Sequence, residues 1–211
     1  MRIRCQGRCD RQQLRLFQDL TMKLNLPKIE MNAPVTVGFT VLSLIVLVFG
    51  YATLGTSTQS IFVCYHTSWT DPMQYVRLIT HIFGHKDITH FVNNFTLIIL
   101  LGPILEEKYG SKELALMILC TAFISGLVNV LFTSTGVLGA SGIVFLFIIL
   151  CSCTSVSSGK IPLTMLLVVL IYIGQEVLTG LTVEDSVSQL GHITGGVCGI
   201  VFGLLQSRSK A

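Results

Sequence analysis

A bilayer's hydrocarbon core, about 30 Å thick, takes about 20 apolar helical residues to cross, with roughly 17–25 being usual. Measured against that length, the chain carries six candidate spans, at about 34–54, 88–105, 114–132, 141–155, 161–178 and 190–205. The uncharged stretch 114–159 is too long for one crossing, and the Thr-, Ser- and Gly-rich segment 133–139 divides it. Pro34 and Pro162 fall in the first turns of their helices, where a missing N–H costs nothing. The pattern predicts an all-α polytopic membrane protein. Its six transmembrane helices form one bundle, with a long external loop over 55–87 between the first two. A polar and basic segment, 1–33, precedes the membrane domain, 34–207, and a short tail, 208–211, follows it.

Composition agrees: of 211 residues 51% are hydrophobic and 12% charged, where an average soluble domain has about 25% charged residues. All fourteen Lys and Arg except Arg77 and Lys86 fall on the side of the N-terminus. By the positive-inside rule this places both termini in the cytoplasm. The net charge of +3 is spread over ends and connectors and makes no basic face, which excludes a nucleic-acid partner. Resting the N-terminal segment on anionic lipid is an expectation from its charge alone. No signal peptide is expected, since some thirty residues precede the first apolar run. Of seven cysteines, Cys120, Cys151, Cys153 and Cys198 lie in apolar runs and read as small hydrophobes. Cys5 and Cys9 have no further ligands nearby to complete a metal site.

Polar side chains inside spans are costly and face the bundle interior or water. Ser141, His192, His90 and Asn94 are the informative ones, with Glu106 and Glu176 nearer helix ends. Alone, Ser141 in VLGASGIVF reads as a packing residue bonded to a neighbouring helix. His192 changes that, because it starts the sixth span at the depth where Ser141 starts the fourth. Gly191, Gly195, Gly199 and Gly203 then recur every four residues, and small residues at that spacing let two helices approach closely. A serine hydroxyl needs an adjacent base to act as nucleophile, and an imidazole can take its proton and later pass it to a leaving amine. No carboxylate is placed to orient His192, so the pair reads as a dyad. His90 and Asn94, four apart on one helix face, suit either a buried polar tie or donors to an oxyanion beside the Ser141 N–H.

Together these residues resemble the rhomboid family of intramembrane serine proteases, over about residues 77–203. RLITHIFGHKDITHFVNN is similar to the family's loop Arg and histidine run leading into HxxxN. GPILEEKYG resembles GxxxExxxG through Gly102, Glu106 and Gly110; GASG resembles the nucleophile motif, and GHITGGVCG the AHxxGxxxG of the sixth helix. The resemblance implies Ser141 as nucleophile and His192 as base, with His90, Asn94 and Ser141 forming the oxyanion hole. Arg77, His81, His85, Glu106, Gly110, Gly139, Gly142, Phe145, Gly195 and Gly199 would be structural or accessory. Three positions depart from the family: Val76 replaces the Trp before the arginine, Gly191 the Ala before the histidine, and Phe145 a Tyr that stacks on the histidine. Phe can still stack but lacks the hydroxyl. His81 and His85 could share a zinc only with a third ligand, which is missing, as is HExxH. Glu176 reads as a solvated helix end, or as a residue near substrate access if the fifth helix borders it.

The expected activity is hydrolysis of transmembrane helices of other membrane proteins through an acyl-enzyme, without metal or cofactor. The bilayer and membrane-protein substrates are the partners, and the sequence does not speak to a homo-oligomer. The compact six-span layout, by family analogy, points to a bacterial plasma membrane. Two alternatives stand beside it. A non-catalytic rhomboid-like protein that binds membrane helices would typically lack the serine or the histidine. A small transporter would carry polar residues along a whole path and show internal repeats.

Overall fold

The computed structural model describes residues 30–153 and 186–208, with Leu163, Leu167, Leu170 and Ile171 as single helical positions. The rest of the fifth candidate span, including Pro162 and Glu176, with Cys5, Cys9, most of the basic segment and the last three residues, lies outside the described residues. Among the described residues six α-helices follow one another: α1 Pro34–Ala52, α2 Pro72–Thr80, α3 Ile88–Tyr109, α4 Ser111–Phe132, α5 Ser141–Cys153 and α6 Ser186–Arg208. A π-helical turn, Thr58–Phe62, lies between α1 and α2. Among the described residues three helices, α1, α3 and α4, are long and apolar enough to cross a membrane, and α5 is a shorter apolar helix.

Local chemistry sets the ends. Asp71 and Asp87 cap α2 and α3 by accepting from Met73 N–H at 2.9 Å and His90 N–H at 2.7 Å, each satisfying a donor that the first turn leaves free. The turn Thr53–Gly55 stops α1 two residues short of the sequence expectation, with Leu54 and Gly55 at φ 51° and 85°. At the other boundary α3 runs past the expected 105 through the charged Glu106–Lys108 turn to Tyr109. Gly110, at φ 87°, then breaks the chain between α3 and α4, a conformation glycine adopts without the Cβ penalty. α1 has no cap of its own. Glu106 supplies one from α3, accepting from Val35 N–H at 2.9 Å, Thr36 N–H at 3.0 Å and the Thr36 hydroxyl at 2.9 Å. Gly102 makes room for this, since a Cβ there would lie 2.5 Å from the Thr36 side chain.

The outer faces of the helices are apolar like the core, and some polar side chains are buried between them. Ile45, Val48, Leu100, Leu116 and Leu131 face outward, and the polar Ser43, Asn94, Thr121, Ser125 and Asn129 are buried. α5 is the most enclosed, with Ile143, Leu146, Phe147 and Leu150 fully buried, and it packs on α3, α4 and, most extensively, α6.

The connector from α1 to α3 is folded. Arg77 donates from Nε to Ser60 O at 2.8 Å, lies 4.7 Å from the Tyr65 ring centroid and pairs with Asp71 at 3.5 Å. Cys64 and Val137 exchange backbone hydrogen bonds of 2.8 and 2.9 Å, tying this connector to the one before α5. The Asn129 amide holds the junction by donating to Cys64 O and Thr135 O, each at 3.0 Å. Burial against Leu78 and Val130 pushes the Cys64 thiol up to about 11, so it remains protonated.

Candidate active site

The contact of α5 with α6 follows from missing side chains. A Cβ on Gly195 would fall on Gly142 O, one on Gly199 would lie 2.8 Å from Ile149 Cβ, and one on Gly203 would lie 2.7 Å from Cys153 Sγ. The two backbones therefore meet closely along the α6 stripe. Gly191 differs from the others, since a Cβ there would meet nothing within 4 Å. Where the helices meet, the Phe145 ring stacks on His192 with centroids 4.5 Å apart and planes inclined by 12°. Phe145 lies one turn beyond Ser141, so the stack holds the imidazole against the first turn of α5.

The turn before Ser141 lies on α3. Gly139, at φ 119°, presses against His90 and Asn94: a Cβ would lie 2.8 Å from His90 Nε2 and 3.7 Å from Asn94 Nδ2. Any side chain here would be excluded twice, by backbone conformation and by space. Behind the pair sits His85. Its Nε2 lies 3.2 Å from Asn94 Nδ2 and 3.4 Å from Ala140 N. Both neighbours are N–H donors, so Nε2 accepts and the proton sits on Nδ1, which donates to Phe83 O at 3.2 Å. Burial first, and then the neighbouring His90, lower the His85 pKa to about 4, keeping the ring neutral. His81, 3% exposed, donates from Nε2 to Ala122 O at 3.0 Å, and burial lowers its pKa to about 4 as well. Gly139 N–H in turn donates to His81 O at 2.9 Å.

Beside Ser141 is a small cavity of about 10 Å³, lined also by His81, Ser125, Asn129 and Gly142. That is about the room one water needs when polar partners surround it.

The residues singled out in the sequence thus separate into groups. Ser141, Gly142, Phe145, His192 and Gly195 meet at the α5–α6 contact, and His85, His90, Asn94 and Gly139 meet at the α3 face of the same turn. Arg77 lies away from them in the folded connector, Gly199 deeper along α6, and Glu106 and Gly110 at the far end of α3. His81 and His85 point to different partners, one to α4 and one to α3 and α5. Ser125 and Asn129 were not singled out in the sequence. Their spacing of four on an apolar helix is the same signal that marked His90 and Asn94.

The described residues define a helical integral membrane protein in which His85, His90, Asn94 and Gly139 gather beside the half-buried start of α5. The Rhomboid domain model matches residues 72–209, and the chain belongs to the rhomboid family. It is similar to a protein named "Rhomboid protease GlpG" from Serratia proteamaculans (strain 568), with 26% identity over 184 residues, which is 84% of this chain and 64% of that protein. The chain therefore spans less than two thirds of that relative's length.

Proposed function

We propose that the protein is an intramembrane serine endopeptidase that cleaves transmembrane helices of other membrane proteins. Members of the rhomboid family are usually intramembrane serine proteases, and the observation that carries the assignment here is the stack of Phe145 on His192 at the α5–α6 contact. It supports the reading because the ring of His192, on α6, lies against the first turns of α5, the helix that begins with Ser141.

In this mechanism the Ser141 hydroxyl attacks the scissile carbonyl carbon while His192 takes its proton. The tetrahedral oxyanion accepts hydrogen bonds from Ser141 N–H, Asn94 and His90. As the C–N bond breaks, His192 returns the proton to the leaving amine, leaving an acyl ester on Ser141. Water, with His192 again as base, hydrolyses the ester and regenerates the serine. The cavity against Ser141 suits such a water, and His85 holds Asn94 and the Ala140 peptide in place. Asn94 contributes donors outright, whereas a donating His90 must carry its proton on the nitrogen facing the substrate.

The same proposal includes six spans with both termini in the cytoplasm, an external connector 55–87, and a bacterial plasma membrane. Substrates with small or helix-breaking residues near the membrane surface unwind most easily, because a peptide bond in a helix is shielded by its own hydrogen bonds.

Purified wild type is expected to cleave a generic transmembrane substrate that Ser141→Ala and His192→Ala leave intact. Equal cleavage by wild type and Ser141→Ala would sink the assignment. A fluorophosphonate should label Ser141 in wild type and fail to do so in His192→Ala, which separates activation of the hydroxyl from its mere presence.

A further inference from the structure

His85 also lines a second, larger cavity of about 400 Å³, between the last turns of α1 and the folded connector. That volume falls within the roughly 300–1,000 Å³ of small-molecule sites. Its lining has two characters. Leu47, Val63 and Leu138 make an apolar part, and Tyr51, Gln59 and Lys86 make a polar part. Among the described residues, none that lines it is acidic. Asp87, next to Lys86 in the chain, is held by the α3 cap, where it accepts from His90 N–H at 2.7 Å. Lys86 is exposed, and among the described residues the salt bridge found is that of Arg77 with Asp71. The Tyr51 oxygen accepts from Ile88 N–H at 3.1 Å, which leaves the phenolic proton to donate. Leu54, which lines the cavity, is 95% exposed, an apolar side chain at its mouth that an acyl chain would cover.

We propose that this cavity binds one anionic phospholipid, its acyl chain over Leu47, Val63 and Leu138 and its phosphate between Lys86 and the Tyr51 hydroxyl. The amphipathic lining matches a lipid better than a free anion, because a phosphate alone leaves the apolar part empty. The cationic rim matches an anionic headgroup, since an exposed ammonium strengthens attraction to an acidic lipid. His85 forms the inner wall, so the bound lipid touches the ring whose Nε2 accepts from Asn94 and Ala140. Binding itself does not depend on the proposed proteolysis.

The full chain in phosphatidylcholine nanodiscs, doped with phosphatidylglycerol bearing a photoactivatable acyl chain, provides the test. Cross-links mapped by mass spectrometry should fall on 47–63 and 138. Unlabelled phosphatidylglycerol should displace them, while phosphatidylcholine should not. In Lys86→Gln the cross-link yield should drop about fivefold, the worth of one basic residue near acidic lipid, and Lys86→Arg should restore it. Equal labelling in Lys86→Gln, or displacement by phosphatidylcholine, overturns the site. Displacement by soluble glycerol phosphate shows a free-phosphate site and likewise overturns it. Lys112→Gln, remote from the cavity, should label like wild type; an equal drop there shows general surface attraction and also overturns the proposal.

Discussion

Phe145 stands where many rhomboids carry tyrosine, and it meets His192 with the face of its ring. Such a stack contributes about 0.5–1.5 kcal/mol, so Phe145→Ala should lower kcat about two- to tenfold with a smaller effect on KM, while Phe145→Tyr should keep wild-type turnover. Steady-state kinetics on the two variants decides between stacking and plain bulk. His81 and His85 carry a different signature. Both are neutral in the fold with pKa values near 4, against 6.5 for the unperturbed ring. Between those values the unfolded chain binds more protons than the folded one, so stability falls as pH drops from 6.5 and the loss is complete below 4. Each ring accounts for roughly 3 kcal/mol of that loss. Thermal melts in detergent from pH 7 to pH 4 should show it, with a shallower slope in His81→Gln. The chemistry proposed for Ser141 rests on a joint reading: its hydroxyl alone is indistinguishable from a packing serine, and the proposal came from pairing it with His192 half a hundred residues later. His85 as a support for Asn94 was not legible, because sequence spacing does not reveal which nitrogen faces which donor.

Elements meet in this protein where side chains are absent, and the α6 stripe makes unequal demands on its glycines. Gly195→Ala puts a methyl into the Gly142 carbonyl and should destabilise by at least the roughly 1–3 kcal/mol typical of overpacking, abolishing the Phe145–His192 stack as α6 moves away. Gly191→Ala points into open space and should melt and turn over like wild type. Comparing the two melts is the check; equal behaviour would remove close helix approach as the reason for the stripe. The four-residue period was readable in the sequence, but which of its members faces α5 is a matter of helix rotation that the period alone leaves open. Glu106 was readable as a polar residue near a helix end, while its target was not, because α1 lies some seventy residues earlier in the chain. Glu106→Gln keeps the shape and removes the charge over the first turn of α1. Charge-assisted bonds to such donors are worth about 1.5–3 kcal/mol, so a lower melting temperature of that order is expected, with the site chemistry otherwise retained.

At the scale of the whole molecule, the length rule found the long apolar helices to within a few residues, because crossing a bilayer leaves hydrophobic length little freedom. Its errors fell at ends, where α3 and α6 extend through polar turns that hydropathy alone excludes. The folded connector was beyond it: the pairing of Cys64 with Val137 joins backbone groups 73 residues apart, and backbone pairing leaves no mark in side-chain type. The proposed orientation gives a direct expectation. Single cysteines at Lys86 and Thr70 should react with an impermeant maleimide from outside intact cells, and one at Lys112 only after lysis. The stack of Phe145 on His192 also bears on biosynthesis. A chain emerging from the ribosome and inserted from its N-terminus holds its serine in the membrane well before α6 is made. On the proposed assignment the hydroxyl lacks its base until α6 docks, so a nascent chain would be unable to cut the proteins being inserted beside it.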